Sequence, residues 1–401
     1  MLNNKDNKTS LVSRKSCLIT MFFFAHLVHH LITALQIPLL PFIRSEFNLT
    51  YVQAGFLISA FNLSYGISQI PCGWLSDRIN TSFMVSIGIS GLSICGFLIA
   101  MSQSYAFIAI LFILMGLLGG AYHPASLPLI NAGVTSDYQG QALGIHMIGG
   151  SSSYFLAPLF VALLVNNYGW RLLYVWLSIP TLIFGILLYY YTKKLDHTKN
   201  KNTSTEMIDN IDTEPTLNCI FRLIPFILLS SFTQAVTFSI IAFIPLFLVD
   251  YFNISQEVAA TAIAFFYSSG LWASFVGGYL SDRFGAKNLT LIICYASAIT
   301  IFFLRISPYG WFLFLLLVIL GATNYIRFVT SESYLMKQTT DKNRSTIIGL
   351  YYFGSMEGGG MLTPILGLLV EHFNFINAFT IAAFSILIIT FFFSIFLKKS
   401  K

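Results

Sequence analysis

The sequence predicts an all-α integral membrane protein: twelve transmembrane helices arranged as two parallel six-helix repeats. Three observations carry this prediction. The composition is too apolar for a solvated surface, apolar runs of spanning length recur along the chain, and one motif returns at a constant offset. Of 401 residues, 56% are apolar and 9% are charged. Soluble domains carry about 25% charged residues. The 22 Lys+Arg and 16 Asp+Glu therefore cannot cover a soluble protein of this length. That excludes a soluble enzyme, a disordered chain and a nucleic-acid binder. The net charge of +6 needs no nucleic-acid partner, because membrane proteins collect Lys and Arg on their cytoplasmic loops.

Residues 1–16 form a polar, basic tail with Lys5, Lys8, Arg14 and Lys15. An apolar run from Cys17 to about Phe42 follows. It exceeds the 7–15-residue core of a secretory signal and has no small-residue cleavage site, so it reads as a retained helix 1. A membrane helix needs about 20 apolar residues. Helices 2 to 6 fit the runs at about 51–75, 81–101, 106–131, 140–165 and 171–192. The stretch 193–217 is rich in Lys, Asp and Glu and poor in apolar residues, the composition of a flexible linker. Helices 7 to 12 fit the runs at about 222–249, 258–280, 288–305, 311–336, 345–370 and 378–397, before a basic tail at 398–401. The predicted domains are thus a half at 17–192, the linker at 193–217 and a half at 218–397.

Charge predicts the orientation. With the N-terminus inside, eighteen of the 22 Lys+Arg face the cytoplasm. Only Arg44, Arg171 and Arg305 lie outside, and Arg327 lies within a span. The positive-inside rule then places both termini in the cytoplasm, in a plasma (inner) membrane. The five cysteines, Cys17, Cys72, Cys95, Cys219 and Cys294, fall in or beside apolar runs. They predict neither a disulfide framework nor a metal knuckle.

The halves repeat one another. Gly73-Trp74-Leu75-Ser76-Asp77-Arg78 returns as Gly278-Tyr279-Leu280-Ser281-Asp282-Arg283, and Phe47-Asn48-Leu49-Thr50 returns as Phe252-Asn253-Ile254-Ser255. Both pairs are offset by 205, the difference of their first residue numbers. An even number of spans per unit makes the repeats parallel. In the Gly-x-Leu-Ser-Asp-Arg loops, Gly73 and Gly278 allow close helix approach. Asp77, Arg78, Asp282 and Arg283 offer switching contacts at one membrane face. A plain turn is the alternative reading of each single copy. The Asn-x-Thr/Ser triplets match a glycosylation pattern, but their repetition favours helix starts, with Thr50 and Gln53 spaced as a capping box.

These loops resemble the signature of the major facilitator superfamily, and the resemblance covers nearly the whole chain. The first copy departs from it, with Ile79-Asn80-Thr81 where the family usually has a glycine and a basic pair. The stretch from His26 to Gln53 and Gly120-Ala121-Tyr122-His123-Pro124 are similar to elements of the fosmidomycin-resistance-type efflux branch. Relatives in that branch commonly place an Asp where His30 stands. The resemblance implies the major facilitator fold and efflux of a small organic compound.

Charges inside a span are costly and mark function by default. Arg327 and Glu357 fall near the middle of helices 10 and 11. Either they pair with each other, or Arg327 holds an anionic substrate group while Glu357 takes up and releases a proton. Asn324 lies one turn before Arg327 on the substrate side of that reading. Glu332 is expected to be structural. His29, Thr33 and Gln36 form a polar stripe on helix 1, and His29 maps onto Gln234 of helix 7 at the repeat offset. His26 and His30 share a face at spacing four. His123 and His146 come from helices 4 and 5. The histidines read either as neutral bridges between helices or as parts of the pathway, with His123 and His29 toward substrate and His30 and His146 toward protons. A transition-metal route is a third reading, because imidazole is a good ligand, but His-x-x-His-His has no carboxylate or thiolate nearby in sequence, so no metal is expected, and no cofactor. Glycines in helices 5 and 11 read either as packing sites or as hinges.

The absence of a Gly-x-x-x-x-Gly-Lys-Ser/Thr loop leaves a proton or other ion gradient as the energy source. The expected protein is a secondary transporter of a small-molecule substrate, working by alternating access as a functional monomer in the lipid bilayer. Proton-coupled uptake or exchange of an organic anion is the alternative. A membrane enzyme would need acids, bases or nucleophiles clustered at one interface, which this sequence lacks.

Overall fold

The computed structural model describes residues 3–76, 78–199, 216–340 and 343–399. The described residues form helices throughout, with no strand among them. A lipid interior offers backbone groups no water, so each pass must satisfy its own N–H and C=O groups. Helix 1 runs Asn3–Thr33 and continues as Gln36–Phe47. Helices 2 and 3 are Tyr51–Ser76 and Thr81–Met101. Helix 4 has two segments, Tyr105–Gly119 and Tyr122–Gly133. Helices 5 and 6 share the run Ser136–Lys199, broken at Gly169 with φ 74°. Helix 7 is Thr216–Phe252. Helix 8 runs Gln256–Ser268, turns through Ser269–Leu271 and resumes at Ala273–Phe284. Helices 9 and 10 are Ala286–Ile306 and Trp311–Gln338. Helix 11 begins as Arg344–Tyr352, widens into a π-turn at Phe353–Glu357 and continues in Gly358–Lys399. That last run breaks at Asn374, φ 63°, where helix 12 begins. The described residues thus hold the twelve expected passes. Most of the 193–217 linker and Asp77 lie outside the described residues.

The breaks in helices 1 and 4 have one cause. Proline lacks an N–H and its ring crowds the carbonyl four residues earlier. Pro38 falls four residues after Ala34, and Pro124 four after Gly120, each at a break. The capping box forms as predicted: the Thr50 backbone N–H donates to Gln53 Oε1 at 3.0 Å, and the Gln53 N–H donates to Thr50 Oγ1 at 3.2 Å. Ser255 caps helix 8 in the equivalent place.

The backbone extends the repeat beyond the sequence motifs. Asn48 and Asn253 are both left-handed, with φ 49° and 56°. Gly169 and Asn374, also 205 apart, are both left-handed where two helices join. Asparagine and glycine tolerate that region best.

The described chain packs as two compact units that do not follow the two sequence halves. Met1–Gln36 and Ser64–Glu206 form the first; Ile37–Leu63 and Met207–Lys401 form the second. Contacts of the Ile37–Leu63 segment explain its place. Arg44 pairs with Asp250 at 2.8 Å, the Val52 N–H donates to Glu371 at 2.9 Å, and Ser59 Oγ donates to the Gly360 carbonyl. Gly55 and Gly367 also belong to this packing: a methyl at either would press on the Thr363 or Tyr51 carbonyl.

In the first unit, Phe22, Val85, Ile89, Leu129 and Leu188 form a buried core drawn from helices 1, 3, 4 and 6. In the second, Leu223, Phe226, Cys294, Leu335 and Tyr351 do the same for helices 7, 9, 10 and 11. Large apolar side chains such as Ile70, Leu163, Phe275 and Ile388 remain exposed on the helix flanks, as lipid-facing positions require.

In helix 5, Gly149 and Gly150 sit in close contacts, while Gly140 and Gly144 have open space. A methyl on Gly149 would overlap the Phe23 carbonyl oxygen of helix 1, whereas Gly140 has open space. Gly149→Ala should therefore destabilise the protein by about 1–3 kcal/mol through overpacking. Gly140→Ala should leave it unchanged or up to about 1 kcal/mol more stable through helix propensity. Melting of the two purified variants checks the opposite signs.

Candidate functional site

Each unit holds one polar cluster deep in its helices. In the first unit, helix 1 presents His26, His29 and His30, while helices 4 and 5 bring His123 and His146 to them. Five of the seven histidines thus share one place. His26 Nδ1 donates to the His146 carbonyl at 2.7 Å, and His146 Nδ1 donates to the Phe22 carbonyl at 3.0 Å. These bonds put the proton on Nδ1 of both rings and leave each Nε2 bare. Neither buried Nε2 has a hydrogen-bond partner. The rings stack with centroids 4.1 Å apart. His29 Nε2 meets Tyr65 Oη at 3.0 Å, and its ring stacks on Tyr122 at 4.4 Å. His30 lies between His123, 3.3 Å from Nε2 to Nε2, and Tyr154, 3.2 Å from Nδ1 to Oη. A methyl on Gly150 would overlap the His26 ring, so this glycine lets helix 5 approach the cluster. Gln36 is buried with its amide nitrogen unpartnered.

In the second unit the cluster centres on Arg327. It is 0% exposed, and among the described residues it is the one Lys, Arg, Asp or Glu that is fully buried. Its Nη1 donates to the Ser230 carbonyl at 2.9 Å and to Ser230 Oγ at 2.7 Å. Its Nη2 donates to Gln234 Oε1 and, at 3.5 Å, to Asn324 Oδ1. Nε has no partner. All four acceptors are neutral oxygens, and no carboxylate among the described side chains lies within ion-pair range. Gln234 and Asn324 are only half-buried, so they form the accessible edge of the cluster. The Glu357 backbone ends the π-turn of helix 11; its side chain lies outside the described residues. Glu332 accepts from Tyr352 Oη at 2.7 Å, a structural contact.

The clusters occupy equivalent positions in the repeat. His29 and Gln234 differ by 205, and so do Tyr122 and Arg327. The contact of His29 with Tyr122 is therefore matched by that of Gln234 with Arg327. His26 against Gly150 is matched likewise by Ser231 Oγ against Ser355 Oγ at 3.2 Å.

The signature loops are less built up. Gly278 has no neighbour near its missing side chain, and Gly73 meets only the Pro124 side chain at 3.6 Å. Gly277 makes the close approach instead, to Ile326. Asp282 pairs with Lys337 at 3.6 Å with both side chains largely exposed, a contact worth little by itself. Arg78 stacks over Trp74 at 4.0 Å and Arg283 faces Phe284 at 5.5 Å.

Sequence reasoning missed Tyr65, Tyr122, Tyr154 and Ser230. Tyr122 had a signal, since the repeat offset carries Arg327 onto it. It also missed the group at the face opposite the termini. There Asp250 accepts from Arg44 and, at 2.7 Å, from Tyr51 Oη, while Arg44 lies 4.2 Å over the Tyr51 ring. The hydrogen bond from Val52 holds the Glu371 carboxyl below its ordinary value, so this contact survives mild acid and is lost as pH falls through that lowered value. Asp250→Asn should weaken this packing of Ile37–Leu63 by about 1.5–3 kcal/mol, the range for hydrogen bonds to charged groups. Faster hydrogen exchange across residues 44–53 is the readout.

Comparison with known proteins places this architecture. The fosmidomycin resistance protein of Escherichia coli (strain K12) is 24% identical over 373 residues, 90% of this chain and 88% of that protein. The cis,cis-muconate transport protein of Acinetobacter baylyi is 23% identical over 350 residues, 82% and 81% of the two chains. The nucleoside transporter NupG superposes with a TM-score of 0.77 at 15% identity, over 95% of this chain and 99% of that one. The profile of the Major Facilitator Superfamily matches residues 22–265 and 226–401. With two six-helix repeats, a polar cluster inside each unit and that match along nearly its whole length, the chain belongs to the Major Facilitator Superfamily.

Proposed function

We propose that this protein is a secondary active transporter that exports a small organic solute with an anionic group, driven by a proton gradient. The observation that carries the reading is Arg327. A cation in a span costs at least about 2.5 kcal/mol on insertion scales, and Leu or Met would pack without that cost. Among the described side chains the charge is met by neutral oxygens alone. Such a site keeps a positive field that a carboxylate or phosphate-like group complements, and the planar guanidinium offers it two parallel donors. Gln234 and Asn324 are the groups such a solute meets first. Displacing one amide oxygen from Nη2 opens the guanidinium to it. The cis,cis-muconate named for one relative, a dicarboxylate, supports the solute class, and the resistance named for another supports the outward direction.

Glu357 is the leading proton carrier in this proposal, with His30 and His146 behind it. π-turns inside helices are frequent at functional sites, and Glu357 ends one. Alternating access requires the packing of Ile37–Leu63 in the second unit to break and re-form. The basic termini and the 193–217 segment belong on the cytoplasmic side of the inner membrane.

The test is transport in proteoliposomes against a panel of organic anions and neutral analogues, with and without an imposed pH gradient. Arg327→Lys should keep the fold and charge but reduce transport by tenfold or more, on the order of the about 1.4 kcal/mol that a factor of ten represents. Arg327→Gln should do worse. Glu357→Gln should abolish gradient-driven accumulation while leaving solute exchange. If the two residues form only a structural pair, Arg327→Gln with Glu357→Gln restores both melting temperature and transport, and the anion-anchor reading fails.

A further inference from the structure

We propose that His26, His30 and His123 form a binding site for a first-row transition-metal cation of the Zn2+ or Co2+ class, open at its fourth position. The three rings each offer one nitrogen, and these nitrogens all lie within 4.8 Å of one another. Two come from helix 1 at spacing four, so they project from one face. The third comes from helix 4, directly after the break that Pro124 enforces. Sequence spacing could not show this third ligand, and the expectation of no metal rested on the lack of a carboxylate or thiolate near His-x-x-His-His.

The geometry favours a cation over a simple histidine contact. Nitrogens bound to zinc at about 2.0–2.1 Å in a tetrahedron stand roughly 3.3–3.4 Å apart. The Nε2 atoms of His30 and His123 are already 3.3 Å apart. The outer nitrogens are equally prepared. His26 Nδ1 donates to the His146 carbonyl at 2.7 Å, which fixes the tautomer with the lone pair on Nε2. His30 Nδ1 lies 3.2 Å from Tyr154 Oη; with Nδ1–H donating to that oxygen, the lone pair on His30 Nε2 is free for a metal. Metal-bound imidazoles characteristically use a carbonyl or similar oxygen on their second nitrogen in this way.

A hydrogen bond between His30 and His123 satisfies those two rings without a metal. It does not account for His26. That ring is 2% exposed, and its Nε2 has no hydrogen-bond partner. It is held in place by the His146 ring, Tyr122 and the close approach of Gly150. A buried lone pair without a donor is costly, and a cation shared with His30 and His123 removes the cost. His26 must swing toward the other two nitrogens to close the triad.

The donor set defines the ligand class. Imidazole suits Zn, Cu, Ni and Co, whereas Ca2+ and Mg2+ require oxygen donors. No carboxylate or thiolate among the described residues joins the group. Three protein ligands leave the fourth position for water or an anionic ligand, the pattern of open rather than structural zinc sites. The proposal is independent of Arg327 and of the direction of transport.

The test uses the full-length chain, freed of any polyhistidine tag, stripped with chelator and placed in lipid nanodiscs. Titration with Co2+ should give one equivalent per chain, with the intense visible bands of four-coordinate cobalt that Zn2+ then displaces. His123→Gln should weaken this binding at least tenfold, while His372→Gln, a histidine outside the cluster, should leave it unchanged. Absent bands in the wild-type chain, or bands unaffected by His123→Gln, overturn the proposal. Zinc-edge X-ray absorption on the loaded wild-type chain decides the matter even where a variant fails to fold. Three imidazoles in the first shell are expected, and a shell of one imidazole with oxygens overturns the site.

Discussion

Within a lipid interior no water answers a polar group, and the arrangement of this chain follows from that constraint. Most of its buried hydroxyls are answered locally. Thr192, Thr233, Ser239, Thr290 and Ser297 each donate to the carbonyl four residues earlier, at 2.8–2.9 Å. Others tie helices together: Ser86 reaches the Gly185 carbonyl at 3.0 Å, Ser269 reaches that of Val318 at 2.7 Å, and Thr290 meets Thr330 at 3.0 Å. Such contacts between spans are worth about 0.6 kcal/mol each on average. Their larger effect is on register, because a helix rotated out of place strands a hydroxyl. Against this background the unanswered atoms stand out. They include His26 Nε2, His146 Nε2, Tyr122 Oη and Arg327 Nε of the two clusters, beside others elsewhere such as Tyr174 Oη, Thr237 Oγ1 and Thr390 Oγ1.

Duplication explains why the clusters lie where they do. The repeat keeps backbone features at both copies, such as left-handed Asn48 and Asn253 and the breaks at Gly169 and Asn374. It keeps side-chain contacts while exchanging their chemistry. One copy stacks an imidazole on a phenol, and the other bonds an amide to a guanidinium. Where the copies differ, proline is one reason. Pro124 interrupts helix 4, while Val329 stands at its equivalent in the unbroken helix 10. His123 follows directly on that interruption.

The fold was legible because its causes are compositional. Apolar run length sets the passes, and the offset of 205 between Gly73 and Gly278 sets the duplication. Thr50 and Gln53 were legible as a cap because capping is local. The division into units was not legible, since Ile37–Leu63 joins the second unit through partners such as Asp250 and Glu371, some 200 to 320 residues away in sequence. Gly278 drew attention through its motif, yet its neighbour Gly277 makes the close contact, because helix rotation and not motif position decides which glycine faces Ile326. For the candidate site, the sequence singled out Arg327, Gln234 and the helix 1 histidines one by one. It could not show that Ser230 completes the guanidinium's acceptors, or that His123 closes on His30. Those are contacts between helices, fixed by packing and invisible to spacing along one chain.

The two clusters solve the problem of charge in lipid in opposite ways. Arg327 cannot shed its proton, so its charge is permanent and its acceptors must be permanent too. Ser230 holds Nη1 through its carbonyl and its hydroxyl, and in the proposed binding mode a solute anion takes over the place of Gln234 or Asn324 on Nη2. The histidine cluster carries no resident charge while its rings are neutral, so an empty site incurs no ion-desolvation cost. A site built from carboxylates or thiolates would strand negative charge among apolar helices each time its cation left, at several kcal/mol per ion. A triad of neutral imidazoles avoids that. It can be filled and emptied within the same fold, as an exchangeable site must be. That no acidic ligand among the described residues joins His26, His30 and His123 is therefore what a reversible cation site in this environment calls for, and the fourth ligand and the balancing charge can arrive together with the cation.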